Sequence, residues 1–168
     1  LDAECPYGNI IAWDDRSATL HYQSKRTTAP SPGAVLLVDA GGPCLGYASD
    51  ITRTYVVNGA HPVFSAALDR MDALERELVA KVAPGSSFVE LHAAAHRGVA
   101  AILCELGILK VKPAEAFERG LTRTFLPHGL GHHLGLQVHD VGGRQVTPSG
   151  ERREPPKEHP FLRTTREL

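Results

Sequence analysis

No apolar run in this chain approaches the roughly 20 residues that a bilayer-crossing helix requires, so the sequence points away from a membrane protein. An excess of one charge sign is lacking too. Eighteen Lys and Arg face 19 Asp and Glu, a formal net charge of −1, which leaves no basic field for nucleic acid or an anionic lipid surface. Cysteine is scarce: only Cys5, Cys44 and Cys104, odd in number and widely spaced. That pattern argues against a disulfide framework and fits buried, reduced thiols in a cytoplasmic protein. With no CxxC pair, a thiolate zinc site has no support. Leu1 to Tyr7 carry acids and a proline, unlike a basic-then-apolar signal peptide. A start on Leu1 rather than Met implies a natural beginning further upstream.

What is present is ordinary for a globular domain: 168 residues, 42% hydrophobic and 22% charged, enough for one sizeable core. Gly8 to Trp13 and Ala18 to Tyr22 read as two strands joined in a hairpin at Asp14-Asp15-Arg16. The apolar run Ala34 to Asp39 and the Thr-, Tyr- and Val-rich Ile51 to Val57 read as an antiparallel pair around a turn-rich Gly41 to Gly46. Phe64, Leu68, Met71, Leu74, Leu78 and Val82 then recur at helical spacing until Pro84-Gly85. A second helix opens with a Ser87/Glu90 capping box, carries Phe88, Leu91, Ala95, Val99, Ile102 and Leu106 on one face, and stops at Gly107. A third, shorter one spans Pro113 to Arg119. The polar, proline-bearing stretch 144–160 reads as an exposed loop. Strands, then helices, then strands again predict an α+β domain with helices on one face of an antiparallel sheet.

Two features carry chemistry. Asp39 and Asp50 adjoin strand-forming apolar residues, where a lone carboxylate is costly to bury. If their strands pair, the carboxylates can face each other, and a divalent cation between them would relieve the repulsion. A plainer arrangement has Asp39 capping a turn and Asp50 paired with Arg53. The second feature is His128-Gly-Leu-Gly-His132-His133-Leu-Gly-Leu-Gln-Val-His139-Asp140. Histidine is the commonest transition-metal ligand and shuttles protons near neutral pH. The interleaved glycines allow close backbone approach to a bound group. The spacing is not that of HExxH. His133 reads as the solvent-facing member.

Taken in order, Val-Asp39-Ala-Gly, Ser-Asp50-Ile-Thr-Arg-Thr and the histidine–glycine run resemble the signature of the pita-bread metallopeptidases. That family includes prolidase, aminopeptidase P, methionine aminopeptidase and creatinase. The likeness extends over roughly Tyr7 to Leu168. Pro6-Tyr7-Gly8-Asn9-Ile10, Leu20-His21-Tyr22 and Pro160-Phe161-Leu162-Arg163-Thr164-Thr165-Arg166 are most similar to the bacterial prolidase (Xaa-Pro dipeptidase) branch.

This resemblance implies a partial pita-bread fold and a dinuclear-metal hydrolase acting on Xaa-Pro dipeptides, with two divalent ions, manganese first and cobalt or zinc as alternatives. Asp39 would chelate one ion, Asp50 bridge both and His132 bind the other. His128 and His139 match catalytic positions lining the substrate, and His21, with His139, matches the substrate-binding set near the dipeptide's carboxylate. The family also implies a cytoplasmic homodimer. It uses two further glutamates, a substrate-binding arginine and an N-terminal domain that have no counterpart here, and Glu167 does not sit in the expected strand context. The expectation is therefore a fragment of the catalytic domain, with weak metal binding and no useful activity alone. The alternatives are an aminopeptidase P acting on longer Xaa-Pro peptides, and a non-catalytic pita-bread binding module.

Overall fold

The computed structural model describes residues 4–24, 27, 34–56 and 59–168. They divide into two compact units, one of Leu1–Ser65 with Leu134–Asp140, the other of Ala66–His133 with Val141–Leu168.

The first unit is built on strands. Its three-stranded sheet runs in the order β1 (Ile10–Trp13), β2 (Val35–Ala40), β5 (Ile51–Val56), antiparallel throughout. Apolar residues fill β2 because it is the central strand, flanked on both sides. In β1 the period of two is visible: Ile10 and Ala12 are buried while Ile11 faces out. The pairing of β2 with β5 agrees with the sequence, and Val57 of the expected strand lies outside the described residues.

The expected hairpin from β1 into residues 18–22 is not formed. The chain instead enters a 3-10 turn, Asp14–Ala18, and β1 takes β2 as its partner. The reason is Asp14, which adopts a φ of 49°. Its Oδ1 accepts hydrogen bonds from the backbone N–H groups of Ala34 (2.8 Å) and Val35 (3.0 Å), fixing the start of β2 from twenty residues away. Between β2 and β5 lies a small hairpin, β3 (Pro43–Cys44) and β4 (Tyr47–Ala48). Leu45 and Gly46, both at positive φ, form its turn.

The second unit is helical. Helix α1 (Pro62–Val79) begins in the strand unit's last residues and continues here. Helix α2 (Phe88–Glu105) starts at Ser87, whose Oγ accepts from the Glu90 N–H at 3.3 Å, while the Glu90 carboxylate lies 3.9 Å from Arg97. It ends as expected at Gly107. Helix α3 (Pro113–Glu118) places its proline in the first turn, where a missing N–H costs nothing. The buried face of α2 holds Leu91, Ala95, Val99 and Ile102 as expected, together with His92 and His96.

Among the described residues no strand follows α2, so the expected return to strands is not made. In its place are 3-10 turns at Leu121–Thr124 and Val141–Arg144 and isolated bridges such as Gln145↔Arg152. Most of 144–160 is exposed, but the stretch after it is anchored. Leu162 and Thr164 are wholly buried, Thr165 Oγ1 donates to the Arg153 carbonyl, and Arg144 donates to the Leu162 carbonyl. The three cysteines are unpaired, yet Cys5 and Cys44 are exposed, which corrects the expectation of buried thiols. Among the described residues no helix is long and apolar enough to cross a membrane.

Candidate metal centre

The strand register decides where the two aspartates go. Asp39 lies opposite Thr52, and alternation places residue 50 on the same face as residue 52. Asp39 and Asp50 therefore project together. Ser49 ties the ends of the intervening hairpin by accepting from the Gly42 N–H and donating to the Gly42 carbonyl, so β5 begins where β2 ends.

A third side chain meets them there. The Tyr7 hydroxyl lies 2.6 Å from Asp39 Oδ1 and 3.0 Å from Asp50 Oδ1. Burial, and then the two carboxylates it serves, push the Tyr7 pKa well above the usual phenol range, so it stays a proton donor at any physiological pH. One O–H proton cannot fully serve two carboxylates. Two like charges therefore stand close together in a half-buried place, and that donor set suits a hard divalent cation.

Room for the Tyr7 ring comes from Gly41. A Cβ at that position would lie 2.8 Å from Tyr7 Cε1 and run into the Ser49 carbonyl. The glycine of Val-Asp39-Ala-Gly41 is thus a steric requirement of the phenol bridge.

His139 joins the strand unit through the segment 134–140. Ala48 of β4 donates its backbone N–H to the Gly135 carbonyl at 2.8 Å, and the Gly135 N–H reaches the Gln137 carbonyl at 3.2 Å. Gly135 is buried, and a Cβ there would lie 2.7 Å from Asp140 Cγ. This tight loop sets one ligand atom of His139 within 4.8 Å of one from Asp50, with His139 itself exposed. His21, at a φ of 53°, is exposed in the same unit.

His128 and His132 fall in the helical unit. His132 is half-buried, its Nδ1 3.1 Å from the His133 carbonyl. His128 is exposed, its Nδ1 3.0 Å from the Gly129 carbonyl, and it borders a cleft of about 390 Å³ with His92, Arg123 and His159. Glu167, left unassigned in the sequence, is exposed and bridges Ser87 through its backbone.

Sequence reading missed Tyr7 as a site residue. Its partners are 32 and 43 positions away, and no local pattern signals a phenol between two aspartates.

Comparison with known proteins now bears on this geometry. Residues 2–160 match the model of metallopeptidase family M24. The chain is 46% identical over 165 residues to the Xaa-Pro dipeptidase of Stenotrophomonas maltophilia (strain K279a), spanning 98% of this chain and 37% of that protein. It is 43% identical over 165 residues to the Xaa-Pro dipeptidase of Shewanella woodyi, with the same coverage. It therefore spans little more than a third of the length of these curated relatives. Among solved structures, proline aminopeptidase P II from Yersinia pestis superposes with a TM-score of 0.73 at 33% identity, over 89% of this chain and 34% of that one. The aminopeptidase PepP of Pseudomonas aeruginosa gives 0.73 at 36% identity, over 88% and 33%.

Proposed function

Because this chain belongs to metallopeptidase family M24 and shares the α+β pita-bread fold of aminopeptidase P, we propose that it is the part of a Xaa-Pro dipeptidase carrying the first ligands of a two-ion centre. The observation that carries this reading is the pair Asp39 and Asp50 held on one face by a single phenol, with His139 beside Asp50. The proposed roles are Asp39 as ligand to one ion, Asp50 as the bridge and His132 as ligand to the other. When bound, two divalent ions supply Lewis acidity at the scissile carbonyl and an acidified water.

The chain's own residues do the rest. Tyr7 keeps both carboxylates at one spacing. His139, exposed on its tight loop, stands where it can hold or protonate the dipeptide, and His128 serves the same substrate as a second proton carrier. His21 takes the carboxylate end. An Xaa-Pro bond is a tertiary amide with no N–H to grip, so recognition falls on its carbonyl and its free ends. Manganese is the proposed ion, since carboxylate oxygens favour it, with cobalt or zinc as substitutes. We place the whole protein in the cytoplasm, as three unpaired cysteines suit a reducing compartment, and as a homodimer.

The charge balance limits this chain alone. Asp39 and Asp50 offset only half the charge of two divalent ions, and an imidazole ligand such as His132 adds no negative charge, so the 168 residues by themselves bind the pair weakly and hydrolyse little.

The dipeptidase reading is favoured over aminopeptidase P by 43–46% identity to proteins named as dipeptidases, against 33–36% to the aminopeptidase structures described above. Gly-Pro and longer Xaa-Pro peptides, offered to the whole protein with manganese, test it. Cleavage confined to the dipeptide is expected. Preference for longer peptides would turn the assignment to aminopeptidase P, and no cleavage with any divalent ion would leave a binding module.

A further inference from the structure

The helical unit holds a second cluster of potential ligands that the dipeptidase reading does not use. His92 and His96 stand four residues apart on the buried face of α2, the spacing that sets two imidazoles one above the other on a helix. Both are nearly inaccessible, at 2% and 1% exposure. His159 reaches them from the far end of the 144–160 stretch. Its ring centroid lies 4.3 Å from that of His92 and 4.9 Å from that of His96, and the two helix rings are 4.6 Å apart.

We propose that His92, His96 and His159 form a transition-metal site of their own, built for a borderline divalent ion such as Zn²⁺ and separate from the carboxylate centre. One ring nitrogen from each lies within 4.8 Å of the other two. A tetrahedral ion with nitrogens at about 2.0–2.1 Å needs them about 3.3 Å apart, so modest closure of three rings completes the set.

Two of the nitrogens have nothing else to do. Among the described residues, His92 Nδ1 and His96 Nε2 are buried without a hydrogen-bond partner, which is a costly state for polar atoms in a packed core. The other nitrogen of His96 is committed. Nδ1 lies 2.8 Å from the buried Thr122 Oγ1, the outer hydrogen bond that fixes a ligating histidine's tautomer and orientation. Burial first, then the nearby His159 ring, with smaller contributions from His96 and His128 at His92 and from Arg123 at His96, lowers both to a pKa of about 4. They are therefore neutral at pH 7, the form a metal requires.

The surroundings suggest the fourth ligand. The cleft of about 390 Å³ beside His92 and His159 is also lined by Arg123, Lys157 and Glu158. Two cations at its wall oppose a bare dication and favour an anion or water on the open coordination position. Three imidazoles with one open position make a reactive type of zinc site as well as a structural one. His159 couples the site to the anchored segment: it sits in a turn closed by its own N–H to Pro156 and by Leu162 back to its carbonyl.

The test uses the whole protein as an Asp39→Asn/Asp50→Asn variant, in which the carboxylate centre is disabled and the fold is checked by circular dichroism. Cobalt(II) serves as the spectroscopic probe. One equivalent bound with tetrahedral-type absorption, displaced by zinc, is expected. Adding His159→Gln should weaken uptake at least tenfold. Thr122→Val should weaken it about tenfold, and Thr122→Ser should restore it. Zinc-edge absorption on the loaded Asp39→Asn/Asp50→Asn protein reads the ligands without a histidine change: a shell of three imidazole nitrogens at about 2.0 Å upholds the site. Failure of that variant to take up metal, uptake indifferent to His159→Gln, or an oxygen-dominated shell would each overturn it, and none of these outcomes bears on cleavage of Gly-Pro.

Discussion

The two clusters of this chain solve opposite problems. In the strand unit, two half-buried carboxylates are held side by side on one phenol proton. In the helical unit, two imidazoles hide from water, each with a ring nitrogen short of a hydrogen bond, and a half-buried third packs against them. Carboxylate oxygen donors call for a hard cation, and imidazole nitrogen donors for a softer one. The difference shows how one short chain can separate two kinds of ligand chemistry, by strand register in one unit and helix spacing in the other.

Three changes would break or sharpen that contrast. The largest effect is expected in the helical unit, where Leu162 is wholly buried and anchors the segment carrying His159. Leu162→Ala should cost about 2–5 kcal/mol, whereas Ile11→Ala in the strand unit, at 55% exposure, should cost under about 0.5 kcal/mol. Urea denaturation of both variants makes the comparison, and equal losses would contradict it.

Acid comes next. His92 and His96 titrate well below the ordinary 6.5 when folded. Their contribution is therefore present above about 6.5 and is lost as pH falls towards 4, with no further loss from them below it. His159, His128 and Arg123 all act on this pair in the same direction, while Glu158 opposes them only at His159. The loss should be up to about 3 kcal/mol for each histidine, read from urea midpoints of the metal-free chain between pH 7.5 and 4, and it should shrink in His96→Gln. Tyr7 has the opposite sign: its raised pKa leaves stability flat below about 10 and eroding only above.

Of the three, the smallest effect is expected at Gly41→Ala (the near-silent Ile11→Ala serves only as the control for Leu162→Ala), where the added methyl collides with the Ser49 carbonyl and the Tyr7 ring. A cost of about 1–3 kcal/mol should follow. Manganese affinity measured calorimetrically should fall with it, while cobalt binding at the histidines stays unchanged.

How much of this was legible beforehand depended on how far each determinant lies along the chain. Strands β2 and β5 and the three helices are written in local periodicity and caps: Ser87 for α2, Pro113 for α3. The aspartates and the histidine–glycine run were found as motifs. The partner of β1 was misread because Asp14 acts on Ala34 and Val35, a bond with no local signature. Tyr7 escaped for the same reason. His92 and His96 were passed over because they interrupt an apolar face that reads well without them, though a histidine pair four apart on a helix was a signal available to find them. Nothing local would have brought His159 to that pair.

The steric demand at Gly41 has a use in sorting genomes. A search that counts aspartates alone would score as intact any copy that kept Asp39 and Asp50 but replaced Gly41. A side chain at position 41 would displace the tyrosine that sets the spacing of those aspartates. The residue with no side chain is therefore a sharper marker of a working copy than the charged ones it serves.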